Sequence, residues 1–357
     1  MRNNVFYWKC DSPIPSQEKI AHFFNNKYTP EVREAVGGAL HDFLGHSPES
    51  LVILKSDGNH LVAKFSDKGT DYFFRADEGR VTDDVYLLAE STVMNLLNKQ
   101  GLPVPPVYHT DITLKRYPFR FQIMEFIRFP CLNKFAKENT LDEKTIASQS
   151  GHFLAQIHAM HFPGFGFFDT DKLSADGTMK GLDASAGDYF RKCLDKHLAY
   201  LTVHELLLPE KELRIITAFD KAVPLLNSVK GSLLHRDYAY WNILGTENEI
   251  KRVIDWDDSV SGDPADDFGI ISCFLSDELV NIILKSYTEH TGVDDSFRTR
   301  IHLHCLRNML WKTVIRHSLG YFDKGKEFFL SMNNGTSLRD YTLRKIDIEL
   351  EKLENAL

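Results

Sequence analysis

The stretch that most constrains this chain runs from Leu233 to Asp267, LLHRDYAYWNILGTENEIKRVIDWDDSVSGDPADD. Two short apolar runs, Trp241–Leu244 and Val253–Ile254, flank the polar turn Thr246-Glu247-Asn248-Glu249. That pattern predicts a β-hairpin. Asn242 enters the first strand and Asp255 leaves the second, so both side chains emerge at the hairpin's open end. Asp237 lies on the loop leading in, five residues before Asn242. An amide and two carboxylates at one strand edge offer hard oxygen donors, which suit a cation such as Mg²⁺ with a phosphate attached.

The spacing His235-x-Asp237-x4-Asn242 is that of a kinase catalytic loop, with Asp255 where a second metal-binding Asp falls. A second block follows, Ile254-Asp255-Trp256 running on to Gly262-Asp263-Pro264-Ala265-Asp266-Asp267. On these two blocks together, the chain resembles the aminoglycoside phosphotransferase and choline kinase group, small-molecule kinases with a protein-kinase-like fold. The resemblance covers roughly Leu51–Leu275. It implies a two-lobed α+β fold, with a small antiparallel-sheet N-lobe and a mostly helical C-lobe. It also implies that Asp237 orients the acceptor hydroxyl and takes its proton late, while Asn242 and Asp255 hold the Mg²⁺ ions bridging the ATP phosphates. Asp263 and Asp267 fall at positions that brace the loop and the next helix start. His235 reads as structural. Arg236 departs from the small residue usual in these small-molecule kinases, and Tyr238, Tyr240 and Trp241 crowd aromatics into the loop. Core packing accounts for at least two of these rings; Tyr240 and Trp241 are the candidates to stack on a sugar-like acceptor.

Residues 1–50 read as a helical extension of the N-lobe. Thr29 as N-cap, Pro30 at the first helical position and Gly45 after Leu44 bracket one helix, with a shorter one around Gln17–Asn25. Residues 51–126 form the N-lobe. Strands are predicted at Leu51–Leu54, Leu61–Phe65, Tyr72–Arg75, Val107–Thr110 and Arg120–Phe126, with a helix from Asp83 to about Gln100. Residues 127–357 form the C-lobe, which carries the catalytic loop, the metal site and the acceptor pocket. It reads as mostly helical, with helices at Glu143–Met160, Tyr189–Glu205, Pro209–Val229, Ala265–Leu275, Glu278–Glu289, Phe297–Leu319 and Leu338–Leu353.

On the nucleotide side, a cation should grip the α- and β-phosphates and be held by an acid on the helix. Arg75 closes the third strand and Glu90 lies on the helix after it, so these two form the candidate pair. Lys64, one strand earlier, is the rival that hairpin order disfavours. Ser56-Asp57-Gly58-Asn59 is the candidate phosphate loop, with Ser56 and Asn59 as contacts and no G-x-G-x-x-G run. Gly164-Phe165-Gly166 follows a helix and is no nucleotide fingerprint. The base is expected beside Met124 and Phe126, with backbone from Glu125 to Ile127 on its edge; ATP and GTP both stay open.

Composition narrows the partners. A net charge of −8 over 357 residues argues against nucleic acid. No run approaches the roughly 20 apolar residues of a membrane span, and Met1–Pro15 has no apolar leader core. Five scattered cysteines without C-x-x-C spacing fit free thiols in a reducing cytosol, hence a cytoplasmic protein. Asp255–Asp295 holds eleven acidic residues against one base, Lys285. This is either a solvated surface plus the metal site or an acidic wall that attracts a polycationic substrate. Asp257 and Asp258 are then the candidates for meeting a substrate amine. Only six residues separate Asp255 from Gly262, too few for the segment on which protein kinases bind peptide, so no protein substrate is expected. The leading reading is an ATP-dependent O-phosphotransferase acting on an aminoglycoside-type antibiotic, which would make it a resistance enzyme. A metabolic kinase for choline, ethanolamine, a sugar or an amino-alcohol is the alternative. A non-catalytic nucleotide-binding protein is disfavoured by the presence of Asp237, Asn242 and Asp255 together.

Overall fold

The computed structural model describes residues 28–54, 60–77, 85–325, 328–330 and 335–357. The helix expected around Gln17–Asn25, the Ser56–Asn59 turn and the helix start at Asp83 lie outside these residues. Helix α1 (Pro30–Leu44) begins and ends as its caps predict. Thr29 accepts from the Val32 amide, and Gly45 takes a φ of 79°, a left-handed conformation open to glycine at little cost.

Five strands follow: β1 (Ser50–Leu54), β2 (Leu61–Asp67), β3 (Thr70–Ala76), β4 (Val107–Asp111) and β5 (Phe121–Glu125). They form one antiparallel sheet in the order β1-β2-β3-β5-β4. Lys68 and Gly69 both have positive φ (47° and 77°) and close the β2–β3 hairpin. This is the two-residue turn whose twist matches that of paired strands. Alternation along β2 puts Leu61, Ala63 and Phe65 on the face that α1 covers with Val36, Ala39 and Leu40. Helix α2 (Tyr86–Lys99) lies between β3 and β4 in sequence and buries Ala89, Val93, Met94 and Leu97. These four belong to a core shared with the C-lobe, not to the α1 core.

The C-lobe runs through α3 (Leu132–Glu138), α4 (Glu143–His158), β6 (Phe165–Phe168), α5 (Thr170–Asp176), β7 (Gly181–Asp183), α6 (Ala186–Arg191), α7 (Leu194–Val203) and α8 (Pro209–Ala222). It continues with β8 (Ser232–Leu234), β9 (Ile243–Gly245), β10 (Ile250–Val253), β11 (Val260–Gly262), α9 (Pro264–Ser272), α10 (Asp277–Thr288), α11 (Phe297–Ser318) and α12 (Leu338–Ala356). Several expectations need correction. Strands β7, β6, β11 and β8 form a second sheet in that order, where the sequence suggested little but helix. The helix expected over Tyr189–Glu205 is two, broken at Cys193, whose φ is 59°. The one expected over Pro209–Val229 stops at Ala222 and continues as a 3-10 turn, Val223–Ser228, because Pro224 has no N–H for an α-helical bond. The central hairpin is present but shifted. Tyr240–Asn242 coil as a 3-10 turn, and Ile243 pairs with Val253.

Helices α4 and α10 meet closely at Gly151, where an added Cβ would lie 2.4 Å from the Ile283 carbonyl oxygen. No described helix is long and apolar enough to cross a membrane. The result is a two-lobed α+β molecule: a small antiparallel sheet with two helices, joined to a larger, mainly helical lobe that carries the central hairpin.

Candidate active site

The loop before the hairpin is fixed from beneath by α9. The amides of His235 and Arg236 both donate to the Asp267 carboxylate, at 2.9 and 2.8 Å. His158 Nε2 meets the same group at 3.1 Å. Burial alone would raise the Asp267 carboxyl, but these donors hold it below the usual carboxylate range. Asp263 caps α9 through the Ala265 amide (3.1 Å) and is held by Arg300 Nε (2.9 Å) and His304 Nε2 (3.0 Å). Arg236 takes a φ of 69° and buries its guanidinium on Asp266 (2.6 Å) and Asn308 (3.1 Å). A paired acid is thus what allows an arginine here in place of a small residue. His235 Nδ1 accepts from the Asp237 amide (3.2 Å), so its Nε2 carries the proton and donates to the Ile254 carbonyl (2.9 Å). That ring ties the loop to the end of β10.

Three of the predicted groups come together at the hairpin's open end. Asp237 Oδ2 receives Asn242 Nδ2 at 2.9 Å and Trp241 Nε1 at 3.2 Å. Asn242 Nδ2 also donates to the Asp237 carbonyl (2.9 Å), which turns the amide oxygen the other way. Asp255 follows β10 with a φ of 67° and is braced next door by the Ile254 amide on the Asn242 carbonyl (2.9 Å). Its carboxylate meets Arg75 Nη2 at 2.7 Å.

Arg75 links the two lobes. Its buried guanidinium also contacts Glu90, His60 and, at 3.2 Å, Asp257. Glu90 is fully buried and holds Gln122 Nε2 at 2.7 Å as well. The rival Lys64 instead pairs with Asp71 (3.0 Å) and lies over the Phe126 ring, a third exposed. Burial pushes the Asp255 carboxyl well above its ordinary range, and the Asp257 carboxylate adds to the rise, against the opposing pull of Arg75. Such a group gains from a cation. Asn242 Oδ1 and the Asp255 carboxylate are both hard oxygen donors, so the pair fits Mg²⁺.

Asp257 and Asp258 point to different places. Asp257 turns toward Arg75 and His60 (3.2 Å). Asp258 is buried at the edge of a cavity of about 170 Å³ that also presents Asp237, Trp241, Lys312 and Arg316. A wall of Trp241, Phe274 and Phe329 divides this cavity from a larger apolar one of about 310 Å³, which Tyr240 lines. The Tyr240 hydroxyl is buried there with no hydrogen-bond partner among the described residues. Of the stretch expected to hold the nucleotide base, Met124 is buried in the shared core. The amides of Glu125 and Phe126 already donate, to Pro106 (3.1 Å) and Asp71 (3.4 Å). Ser56 and Asn59 lie outside the described residues.

The acidic segment is not an open wall. Nine of its eleven carboxylates contact a Lys, Arg or His: Asp255 and Asp257 on Arg75, Asp263 and Asp294 on Arg300, Asp266 on Arg236, Asp267 on His158, Asp277 on Lys352, Glu278 on Lys144 and Glu289 on His152. The cavity's two cations were not foreseen. Lys312 Nζ lies 3.7 Å from Asp237 Oδ1, and Arg316 sits one turn further along α11. They continue the four-residue stripe of His304 and Asn308 on one face of α11, so nothing local in the sequence set them apart.

A family model described as "Phosphotransferase enzyme family" matches residues 51–300. No curated protein matches the chain. Among solved structures, the aminoglycoside phosphotransferase APH(4)-Ia is 15% identical with a TM-score of 0.62, covering 89% of this chain and 98% of its own. A candidate fructosamine-3-kinase from Haemophilus somnus 129PT is 17% identical with a TM-score of 0.61, covering 89% and 97%. The macrolide 2'-phosphotransferase MphH from Brachybacterium faecium is 16% identical with a TM-score of 0.53, covering 79% and 92%. At these identities the likeness is one of fold. The family match spans well over half the chain: it belongs to the phosphotransferase enzyme family and is an enzyme of the small-molecule kinase type.

Proposed function

We propose that this enzyme transfers the γ-phosphate of ATP to a hydroxyl of a small molecule bound in the cavity beside Asp237. The observation that carries the reading is the placement of Asp237: held by Asn242 and Trp241, open to the cavity on one side, next to the Asp255–Arg75 cluster on the other. The acceptor hydroxyl donates to Asp237, and its oxygen forms a bond to the γ-phosphorus in line with the β–γ bridging oxygen. That bridging bond breaks, ADP leaves with the electron pair, and Asp237 takes the hydroxyl proton late. Arg75, fixed by Glu90, holds the α- and β-phosphates; a guanidinium can bind two oxygens at once. Asn242 and Asp255 would hold Mg²⁺, which would supply positive charge to the phosphate oxygens. Met124 and Phe126 flank the base, with backbone near Ile127 on its edge. Ser56 and Asn59 take the phosphate-loop role, and GTP is the competing donor.

APH(4)-Ia is known in a ternary complex with AMP-PNP and hygromycin B. An aminoglycoside-type acceptor, meeting Asp258 and the ring of Trp241, would make this a cytoplasmic resistance enzyme; Tyr240 faces the neighbouring cavity and would not reach it. The alternative, a metabolic acceptor, draws support from the paired state of the acidic segment and from Lys312 and Arg316 in the cavity. The test is consumption of Mg·ATP and Mg·GTP across aminoglycosides, choline, ethanolamine, sugars and hydroxy acids, with Asp237→Ala alongside. Acceptor-dependent turnover lost in the variant supports the reading; turnover that survives the substitution removes Asp237 from the reaction.

A further inference from the structure

We propose that Lys312 and Arg316 form an anion-binding subsite of the acceptor cavity, so that the molecule phosphorylated carries a carboxylate or phosphate group near its reacting hydroxyl. This rests on the phosphotransfer reading above and names the acceptor class for the same site.

The two cations stand four residues apart on α11, the spacing that puts side chains on one helix face. Lys312 is 9% exposed and Arg316 only 2%. Among the described residues Arg316 has one hydrogen bond, to Thr342 Oγ1 (2.6 Å), and no carboxylate pairs with it. The carboxylate beside Lys312 is Asp237 at 3.7 Å, beyond hydrogen-bond length. Both cations share the face of the Phe274 ring, at 4.9 and 5.8 Å, which offsets part of the cost of burial but supplies no negative charge.

Other buried cations of the same lobe are treated differently. Arg300 on α11 is paired with Asp263 and Asp294, and Lys345 on α12 with Glu349. Arg307 donates to the carbonyls of Phe190 (3.0 Å) and Lys192 (2.6 Å). Cations that serve the fold are thus met within the protein by carboxylates or by backbone carbonyls. A buried cation without an anion is costly; among the described residues Arg316 meets no carboxylate and Lys312 meets only Asp237 at 3.7 Å, and both line the cavity beside Asp237. Burial draws the Arg316 guanidinium down to about 10, and it lowers the Lys312 ammonium against the opposing pull of Asp237. Asp258, the cavity's other acid, also lies near Arg236 and so does not answer them alone.

An oxyanion fits this gap. A guanidinium binds carboxylate or phosphate through two parallel N–H donors, and an ammonium adds a point charge. Lys312 reaches toward Asp237 and Arg316 lies one turn beyond, so an anion held between them places a neighbouring hydroxyl at Asp237. A polycation in the same space would face two like charges.

The test uses the full chain with Mg·ATP and three groups of acceptors. Glycerate and gluconate form the carboxylate arm; glycerol 3-phosphate and ribose 5-phosphate form the phosphate arm. Choline, ethanolamine, glucose and an aminoglycoside form the neutral and cationic arm. Turnover confined to one anionic arm is expected, and which arm responds separates the two oxyanions. For the acceptor so found, Arg316→Gln should raise KM tenfold or more with a smaller change in kcat, and Arg316→Lys should recover part of the loss. Lys312→Gln should raise the same KM. Turnover only in the neutral and cationic arm overturns the proposal, as does a KM for an anionic acceptor that neither glutamine variant moves. So does silence in both anionic arms; Mg·ATP binding measured in the same samples then shows whether the phosphotransfer reading falls too. If Arg316→Gln does not fold, the wild-type arm pattern and Lys312→Gln decide.

Discussion

Asp237 is held in place by two uncharged donors, the Asn242 amide and the Trp241 indole, with the Lys312 ammonium 3.7 Å away. A carboxylate so placed can receive a proton at the moment of transfer, an effect worth roughly 10²–10⁴-fold in rate. Asp237→Asn should therefore lower kcat by about that factor while leaving KM for ATP nearly unchanged; steady-state kinetics at varied ATP reads both numbers. Arg75 is a different case because it serves the fold as well as the site. Arg75→Ala strands Glu90, which is fully buried, and should cost about 3–5 kcal/mol of stability. It should also raise KM for ATP, and if the folded variant shows KM and kcat both unmoved, Arg75 does not hold the phosphates. These residues could be read from the sequence because their spacing along one short stretch, or one strand and the next helix, fixes where they emerge. Lys312 and Arg316 could not be placed that way. Helix α11 carries Arg298, Arg300, Arg307, Lys312 and Arg316, and nothing local tells which of these cations faces a cavity and which meets an acid from elsewhere.

Among elements, the α4–α10 contact shows how closely the C-lobe is packed. A Cβ at Gly151 would also come within 2.7 Å of the Ser286 Cβ, so neither helix can simply shift aside. Gly151→Ala should destabilise the protein by about 1–3 kcal/mol, the cost of overpacking, in spite of alanine's better helix propensity. Urea unfolding measures this directly; a variant as stable as the parent would mean that the helices have room to separate. Several helices were legible from their caps: Ser337 before α12 and Asp142 before α4 both accept from the first turn. Strands β6, β7, β8 and β11 were not. Each is only three or four residues long, so alternation never has length to appear. The break at Cys193 was equally silent, since no Gly or Pro marks it.

For the whole molecule, ion pairing buried in the C-lobe sets the acid limit of stability. Burial opposes ionisation of Glu349, yet His302 and Lys345 outweigh it and hold that carboxyl down to about 2. Asp263 and Asp267 are likewise held low, against burial, by His304 with Arg300 and by His158 with the His235 amide. A depressed carboxyl stabilises the fold above its unfolded pKa, near ~4, and that stability disappears as pH falls through the lower folded value. The melting temperature should therefore be level above about pH 5 and fall steeply below about pH 4. Glu349→Gln should lower the neutral plateau and flatten the acid limb; an unchanged acid limb would remove Glu349 from it. One core also runs from α2 and Met124 through Tyr238, Ile243 and Trp256 to α4 and α10. The site's two halves are thus built on a shared interior. That is why motifs in Leu233–Asp267 could indicate the fold of residues far outside them.

The central claim is that Asp237 directs ATP's γ-phosphate onto a hydroxyl, and ³¹P NMR of the product tests it most directly. With Mg·ATP and the acceptor found by the turnover panel, the account predicts a phosphate monoester resonance coupled to protons on the acceptor carbon, absent with Asp237→Asn. Release of inorganic phosphate alone, or the same monoester formed at full rate by the variant, would contradict it.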